Sequence, residues 1–454
     1  MKSIIIALFS LLMVTLHAQT GHVLQGSGAV NFSMGGAATA LPIDAAGSLQ
    51  WNPASITAFG QNELSASVAW FTAAPEVYAK VVQPDGQGGF MTIEGLTKDE
   101  MGASPLPTLG VVFSLPDSKF AFGISAFGVS GFGVDYPATT NLPVPGNPNF
   151  DPTRSNPLLY PQSMGGFGHL FSEYQLMQVG LTGAYDLGNG LSVGFAPIFN
   201  YSMLQIEPVS IAAPNPELGY PIGDKATALG MGFQAGLFYQ TDIGLNAGLS
   251  YKSTQWFEDL EIGGKYPDGS TAPATNFNMD FPAIISAGIG FSSDMIDVAV
   301  DYRFINYSKT DGFEKTGWVI GENGYPTGAV AGFGWKDVHV VGAGLQFKGI
   351  DKLPLRVGYT FSTNPITEDN VFFSSSAPAV IENAVQFGFG YELGSQFNVS
   401  LTYHRGLTAE VSGQLMNPQF ITAGDPLGKV PQSEITSKML TDVLLLGVSY
   451  KFGR

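Results

Sequence analysis

Hydrophobic residues alternate with small or polar residues along many segments of the chain. In residues 353–362, Leu, Val, Tyr and Phe fill every second position, and Pro, Arg, Gly, Thr and Ser fill the others. The segments 243–252 and 397–404 follow the same rule. A period of two is that of a β-strand whose two faces meet different surroundings. The chain is therefore expected to be rich in strands that each have one apolar face.

This pattern predicts fourteen strands joined by connections of alternating length. The strands are expected near 61–73, 106–115, 119–129, 172–187, 190–205, 226–240, 243–257, 277–291, 295–307, 335–347, 353–362, 381–392, 396–405 and 439–452. Seven long loops are expected at 74–105, 130–171, 206–225, 258–276, 308–334, 363–380 and 406–438. Long outer loops, short periplasmic turns and an even strand number are typical of bacterial outer-membrane barrels. We therefore predict an all-β fold, a fourteen-stranded antiparallel transmembrane β-barrel.

The composition supports a membrane location and excludes several functions. Only 13% of the residues are charged, against roughly 25% in soluble domains, and 44% are hydrophobic. The net charge of −17 would repel nucleic acid, so no nucleic-acid partner is expected. Because the chain has no cysteine, it cannot form a disulfide or a thiolate metal site. The expected partners are outer-membrane lipid and a hydrophobic small molecule.

The first residues are typical of an export signal. Lys2 is followed by an apolar run from Ile4 to Leu16, and Ala18 offers a small residue for cleavage. The run is too short for a membrane helix, which needs about 20 residues. We therefore predict a signal peptide at 1–18 that is removed on export to the outer membrane.

Residues 19–60 do not alternate and are small, glycine-rich and nearly uncharged. A fourteen-stranded barrel is too wide for its own side chains to fill, since filling is already incomplete above about eight strands. We therefore predict a hatch, or plug, at 19–60 inside a barrel formed by 61–454. The alternative is a disordered periplasmic tail, which Phe32, Trp51 and Phe59 disfavour.

Several short motifs follow one another along the chain in an order similar to that of one known family. They are Gly26-Ser27-Gly28-Ala29, Ser33-Met34-Gly35-Gly36-Ala37, Asn52-Pro53-Ala54, Phe281-Pro282-Ala283, Leu355-Arg356-Val357-Gly358-Tyr359 and Asn364-Pro365-Ile366. In their order and spacing, the chain resembles the long-chain fatty acid transporter family of outer-membrane proteins (FadL type). The resemblance implies a fourteen-stranded barrel with an internal hatch and passive uptake of hydrophobic molecules, with long-chain fatty acids as the first expectation. It also implies that Asn52, Pro53 and Ala54 lie in the hatch and act in ligand binding or gating.

Three glycines end the third predicted strand. Gly128, Gly131 and Gly133 would permit a bulge or a kink there. In the family that the chain resembles, a kink in this strand opens the barrel wall sideways, so these glycines are candidates for a lateral opening. The alternative is that they only mark the passage from strand to loop.

The loop at 130–171 is unusually apolar for an outer loop. Its candidates for ligand capture are Phe150, Leu158, Leu159, Tyr160 and Phe167. Exposed apolar patches of this kind mark interaction sites. The alternative, which does not exclude capture, is that these side chains pack the loop over the barrel mouth.

Two arginines on inward faces are candidate partners for a carboxylate head group. Arg356 has no acidic neighbour on its own strand, whereas Arg303 shares a face with Asp297 and Asp301. Arginine binds a carboxylate through two parallel hydrogen bonds. Each could instead pair with an acidic residue of the lumen, and this alternative is favoured for Arg303.

Enzyme functions find little support in the sequence. Gly190-Leu191-Ser192-Val193-Gly194 matches a nucleophile-elbow pattern, but that motif requires a sharp turn between strand and helix and here lies within an alternating strand. No catalytic residue, metal site or cofactor is expected. The protein is expected to be a monomer. The alternatives to a fatty-acid importer are an aromatic-hydrocarbon importer, an interaction barrel of a secretion or assembly system, and a polar-solute porin.

Overall fold

A computed structural model of the chain describes residues 21–115, 117–144 and 147–453. The signal peptide predicted at 1–18 lies outside the described residues, as do the first two residues of the predicted hatch. Within the described ranges, none of the helices is long and apolar enough to cross a membrane.

The described residues form two α-helices and twenty-two strands. The helices are α1 (Gly28–Ser33) and α2 (Ala45–Trp51). The strands are β1 (Asn62–Ala73), β2 (Glu76–Pro84), β3 (Phe90–Lys98), β4 (Ser104–Ser114), β5 (Phe120–Tyr136), β6 (Leu170–Gly188), β7 (Leu191–Glu207), β8 (Ile222–Gly223), β9 (Ala226–Gln240), β10 (Leu245–Lys252), β11 (Trp256–Phe257), β12 (Leu260–Lys265), β13 (Thr271–Phe277), β14 (Ile284–Ser292), β15 (Ile296–Ile305), β16 (Trp318–Ile320), β17 (Pro326–Val330), β18 (Val338–Phe347), β19 (Leu355–Ser362), β20 (Asn383–Leu393), β21 (Phe397–Gly413) and β22 (Glu434–Phe452). Short 3-10 helices occur at Pro53–Ala58, Pro152–Arg154, Pro157–Leu159, Gln162–Met164, Tyr307–Lys309 and Pro418–Phe420.

Fourteen of these strands form a closed antiparallel barrel. They are β1, β4, β5, β6, β7, β9, β10, β14, β15, β18, β19, β20, β21 and β22. Each pairs with its neighbours along this order, and β1 closes the ring because Leu64 lies opposite Val111 of β4 and Tyr450 of β22. Each of the fourteen predicted segments overlaps one of these strands, so the predicted barrel is confirmed.

Strand β6 shows how the alternation divides the two faces of the wall. Met177, Val179 and Leu181 are 41%, 40% and 47% exposed on the outer face, whereas Gln178 and Thr182 are buried inside the barrel. Apolar side chains on the outside meet lipid, and polar or small side chains on the inside meet the lumen contents. The alternation with a period of two in the sequence therefore indicates which part of each strand spans the membrane.

Several strands run further outward than the alternation predicts. The loops predicted at 74–105 and 130–171 contain the β2–β3 hairpin and the outer parts of β5 and β6. The hairpin pairs with the outer end of β22, where Glu76 lies opposite Lys438. The predicted loop bounds are wrong here because hydrophobic alternation ends where both faces meet water, although the hydrogen-bonded ladder continues.

Candidate functional site

The N-terminal segment fills the lumen of the barrel. Residues 21–58 pass through α1, α2 and the 3-10 helix Pro53–Ala58, and nearly all of them are buried. Helix α1 packs on β19–β22 and β1, α2 on β1, β4 and β5, and the 3-10 helix on β5, β6, β7 and β9. Helices of six or seven residues are marginal alone, so the wall holds them in place. This is the position expected of a hatch, and the boundary at residue 60 stays a prediction.

Buried carboxylates of the wall hold the hatch through its backbone. Asp301 Oδ2 on β15 accepts hydrogen bonds from Ala38 N and Thr39 N at 2.9 Å and from Thr39 Oγ1 at 2.7 Å. Glu63 Oε1 on β1 accepts a hydrogen bond from Ala45 N at 2.9 Å. Hydrogen bonds to charged acceptors are stronger than neutral ones, so these contacts anchor the hatch on two sides.

The Asn52-Pro53-Ala54 motif lies in the hatch as the resemblance implied. Asn52 Oδ1 accepts a hydrogen bond from Ala54 N at 3.1 Å and so caps the 3-10 helix that starts at Pro53. Asn52 Nδ2 donates to Thr39 O at 2.8 Å and to Leu237 O of β9 at 2.9 Å. The motif therefore ties two turns of the hatch to the wall. A role in binding or gating stays a prediction.

Glycines on the inner wall let backbone and side-chain atoms of the hatch approach the strands directly. A Cβ atom added at Gly236 would lie 2.1 Å from Asn52 Oδ1, and one at Gly344 would lie 2.4 Å from Met34 O. A Cβ at Gly358 would lie 2.2 Å from the backbone nitrogen of Gly35. The high glycine content of the barrel strands therefore has a packing cause.

Arg303 is engaged with the hatch. Its Nη2 lies 3.1 Å from Asp301 Oδ2 and also donates to Gly36 O, and its Nη1 donates to Gln25 O at 3.2 Å. The guanidinium lies 3.5 Å from the centre of the Trp51 ring. The structure thus pairs Arg303 with a lumen acid, the alternative that the sequence favoured.

Arg356 lies at the short-turn end of the barrel. Its Nε donates to Gln346 Oε1 at 2.6 Å, and its Nη1 lies 3.5 Å from Ser400 Oγ. It borders a polar vestibule that also includes the turn residues Lys352 and Ser395. A role as partner of a carboxylate ligand stays a prediction, and its place is separate from the apolar cavity described below.

The hydrogen-bonded ladder between β4 and β5 stops before the outer ends of the two strands, and we call this break in pairing the gap. Their pairing ends where Thr108 lies opposite Phe127, and β5 then shifts its register against β6 between Gly128 and Ser130, which is a β-bulge. A bulge bends its strand and increases the local twist. The bulge therefore lies where the glycines were expected to permit one.

Residues 22–24, which we call the covering segment, lie over this gap in place of β4. Val23 forms an antiparallel bridge with Ser130, and Leu24 N donates to Val129 O at 3.0 Å. The first described residues of the chain therefore act as a short strand added to the free edge of β5.

An apolar cavity lies against the gap. The empty space in and around it is about 810 Å³, a volume that includes open solvent at its mouth. Gly131 and Gly133 of β5 border it, as do Leu24 of the covering segment and Leu106 of β4. Further apolar lining comes from Phe71, Met101, Phe132, Tyr174 and Met439. Two of the three glycines predicted for a lateral opening thus border a cavity of suitable chemistry.

His22 fixes the covering segment in an aromatic box. Its Nδ1 lies 2.8 Å from the Tyr307 hydroxyl, and its Nε2 has no hydrogen-bond partner among the described residues. Burial lowers the pKa of His22 from 6.5 to about 3, so the ring is neutral at neutral pH. Six aromatic rings form this box, with centroids 4.7–6.5 Å from the centroid of the His22 ring. They are those of Phe132, Tyr174, Phe281, Tyr307, Phe313 and Trp335.

The apolar residues of the loop between β5 and β6 pack within the outer loop layer. Leu158, Leu159 and Tyr160 are at most 5% exposed, and Phe150 and Phe167 are partly buried. For the three buried residues the structure shows the packing alternative. A role in ligand capture stays a prediction for all five.

Sequence reasoning missed the segment that covers the gap. A signal for the gap itself is present in β4, where Pro105 and Pro107 lie beyond the last residue paired with β5. Proline lacks a backbone N–H and is found at free strand edges. No comparable signal marks His22, Val23 and Leu24, because a pairing of three residues has no periodicity.

Comparisons with known proteins agree with this architecture. Residues 160–452, more than half of the chain, match the profile of the family described as "Outer membrane protein transport protein (OMPP1/FadL/TodX)". No curated protein sequence matches the chain.

Solved structures show the same fold at low sequence identity. The toluene transporter TodX of P. putida is 16% identical with a TM-score of 0.66, and the match covers 95% of this chain and 100% of that chain. A FadL homologue of Pseudomonas aeruginosa is 14% identical with a TM-score of 0.66 and the same coverage. The toluene transporter TbuX of Ralstonia pickettii is 17% identical with a TM-score of 0.61, covering 95% of this chain and 99% of that chain.

Proposed function

This chain belongs to the outer membrane protein transport family (OMPP1/FadL/TodX), and from that premise we propose that it passes hydrophobic molecules sideways through its barrel wall. At the coarser level, it is an outer-membrane channel for hydrophobic compounds, and its structural neighbours are transport channels rather than enzymes. The proposed route runs from the outer loops into the apolar cavity and then through the gap between β4 and β5 into the bilayer.

The observation that carries the proposal is the position of the apolar cavity beside the gap. Leu106 of β4 and Gly131 of β5 both border the cavity, so a molecule in it is next to the break in the wall. Each buried CH₂ group is worth about 0.8 kcal/mol, so release of a long apolar molecule into water is strongly unfavourable. A sideways exit into lipid avoids that cost.

The path straight through the barrel is blocked by a polar, hydrogen-bonded layer. Asp301, Arg303 and Glu63 bind the hatch backbone and are almost completely buried. Moving the hatch aside would break the hydrogen bonds that these buried groups make to the hatch backbone, which is costly in a site of low polarity. The covering segment is held to β5 by the backbone hydrogen bonds Leu24 N to Val129 O and Gly131 N to His22 O, and it carries no buried charge, so its displacement breaks no ion pair.

The cavity chemistry supports an importer over the interaction-barrel alternative, because an apolar cavity beside a gap has a direct use only in moving apolar molecules. Long-chain fatty acids remain the expectation from the sequence, and aromatic hydrocarbons the alternative. Both classes are apolar, as is most of the cavity lining.

A reversible lock on the covering segment tests the proposal. Because the chain has no cysteine, Val23→Cys with Ser130→Cys introduces a single possible disulfide. The two residues are bridge partners, and directly opposed residues of antiparallel strands have Cα atoms about 4.5–5.5 Å apart, which suits a disulfide. We expect cells that carry the oxidised variant to lose uptake of a radiolabelled hydrophobic probe, and a reductant to restore it.

Two controls separate the lock from general damage. The single variants Val23→Cys and Ser130→Cys report the cost of each substitution. Met416→Cys with Lys429→Cys places a disulfide at another isolated bridge, in the loop between β21 and β22, and should leave uptake unchanged. Full uptake by the completely cross-linked Val23–Ser130 variant would show that cargo does not leave through this gap.

A further inference from the structure

The charged residues that line the apolar cavity are all acidic. Two carboxylate side chains, Asp99 and Glu173, border it, and no lysine or arginine does so in the described ranges 21–115, 117–144 and 147–453. The rest of the lining is apolar or uncharged. Among the residues that line the cavity, a ligand therefore meets only negative formal charge.

Backbone hydrogen bonds hold Asp99 in position. Its Oδ1 accepts a hydrogen bond from Asp135 N at 2.6 Å, and its Oδ2 accepts one from Met101 N at 3.1 Å. Burial, together with the nearby Asp135 and Glu100, raises the pKa of Asp99 to about 6. The side chain is therefore ionised at slightly alkaline pH.

Glu173 is held by two side chains near the outer end of β6. Its Oε1 accepts a hydrogen bond from Gln175 Nε2 at 2.9 Å, and its Oε2 lies 3.5 Å from Lys225 Nζ. Lys225 does not border the cavity and its side chain is 47% exposed, so it offsets the charge of Glu173 only in part.

The lysine and arginine side chains that could be considered as partners for a carboxylate ligand have other contacts. Arg303 is bound to Asp301 and to hatch carbonyls, and Arg356 borders the vestibule at the short-turn end. Lys98, which precedes Asp99 in the chain, lies 3.2 Å from Glu76. None of these three groups borders the cavity, so none is placed to bind a carboxylate there.

We propose that the cavity selects uncharged hydrophobic molecules over carboxylates, and that Asp99 and Glu173 determine this specificity. The inference rests on the proposed function and narrows its cargo from hydrophobic molecules in general to uncharged ones. A carboxylate ligand loses its water shell on entering and is also repelled by Asp99 and, to a smaller extent, by Glu173. An uncharged ligand of the same length meets neither cost.

Laurate and methyl laurate are a matched pair of probes, because they share one alkyl chain and differ in charge. We would measure the binding of each radiolabelled probe to the purified, folded protein at about pH 8, where a carboxylic acid of pKa about 4–5 and Asp99 are both ionised. Unaltered protein is expected to bind methyl laurate and to bind laurate much more weakly.

Removing each charge should restore laurate binding. One unit charge within about 10 Å, at an effective dielectric constant near 20, changes a binding constant by roughly tenfold. Asp99→Asn and Glu173→Gln should therefore each strengthen laurate binding by about tenfold, the second somewhat less because of Lys225, and leave methyl laurate binding unchanged. Glu217→Gln with Asp268→Asn, two exposed loop carboxylates outside the cavity lining, is the matched control and should change neither.

Salt provides a test on the unaltered protein, in case a variant does not fold. Raising the ionic strength from about 0.01 M to about 1 M shortens the screening length from roughly 30 Å to roughly 3 Å. Laurate binding should strengthen over this range relative to methyl laurate. Equal binding of the two probes by unaltered protein, or a double variant with an unchanged ratio, would overturn the inference. Binding with this selectivity but without uptake in cells would instead count against the proposed transport.

Discussion

At the scale of single residues, His22 holds the segment that covers the gap through its contacts with surrounding aromatic rings. Its ring is stacked on Phe313 with centroids 4.7 Å apart, and its Nδ1 is bonded to the Tyr307 hydroxyl. The buried ring cannot be protonated without losing this site, because Nε2 has no partner in the described structure that could stabilise the charge. We therefore expect protonation of His22 to weaken the attachment of the covering segment.

We predict that mild acid promotes opening of the gap. The pKa of His22 is about 3 in the box and 6.5 in water, so protonation favours the displaced segment as the pH falls below 6.5. Each pH unit between 6.5 and about 3 should shift the closed-to-open equilibrium by roughly tenfold. Uptake of methyl laurate, which does not titrate, should therefore rise as the external pH is lowered from about 7.5 to about 5.

His22→Phe should remove this pH dependence, because phenylalanine occupies the same box without titrating. His169→Gln, an exposed histidine of the outer surface, should retain it. Uptake by unaltered protein that is flat across this pH range would rule out His22 as the coupled group.

At the scale of elements, the barrel strands and the hatch are fitted to each other through glycine. Strand β18 passes Met34 so closely that a Cβ at Gly344 would lie 2.4 Å from its carbonyl oxygen. Real Cβ atoms do not approach backbone oxygen this closely, so a side chain there must push the hatch or the strand aside. Gly183 of β6, in contrast, has no atom within 4 Å of an added Cβ in the described structure.

Gly344→Val should therefore displace the hatch without unfolding the barrel. We expect single-channel conductance in planar bilayers to rise from near zero to measurable steps, while heat-modifiable migration on a gel stays normal. Gly183→Val introduces the same side chain into open space and should leave conductance unchanged. Identical conductance for the two variants would show that close packing at β18 does not hold the hatch.

At the scale of the whole molecule, a wide barrel is combined with a separate filling. The fourteen-stranded ring closes between β1 and β22, and the hatch contacts strands around most of its circumference. A ring of this size leaves a lumen that its own side chains do not fill, and the described part of the N-terminal segment occupies that space.

Deletion of residues 19–60 should leave a folded but leaky barrel. The strands that close the ring lie entirely within 61–454, so heat-modifiable folding should persist, while conductance should increase to large, stable steps. The full-length exported chain, reconstituted in the same bilayer, is the reference. A deletion variant as silent as this reference would contradict the assignment of 19–60 as the plug.

The contents of the candidate site were predictable only in part. Gly128 could be proposed as a site of strand distortion because glycine in a strand weakens it locally, and the bulge is there. The pairing of Arg303 with Asp301 could be favoured because both lie on one face of one strand. That Asp99 and Glu173 border one cavity could not be foreseen, because their segments are separate in the chain and come near each other only in the folded barrel.

The sequence by itself determined the barrel, its strand number and its lipid-facing side, because a membrane forces hydrophobicity to follow the two-residue period of each strand. It also indicated that none of the fourteen barrel strands lies within residues 21–60, since that period is absent there. Only the tertiary structure decided that residues 22–24 replace β4 beside β5, and which charges border the cavity. These contacts join residues far apart in the chain, such as Val23 and Ser130, and no local pattern of hydrophobicity records such a meeting.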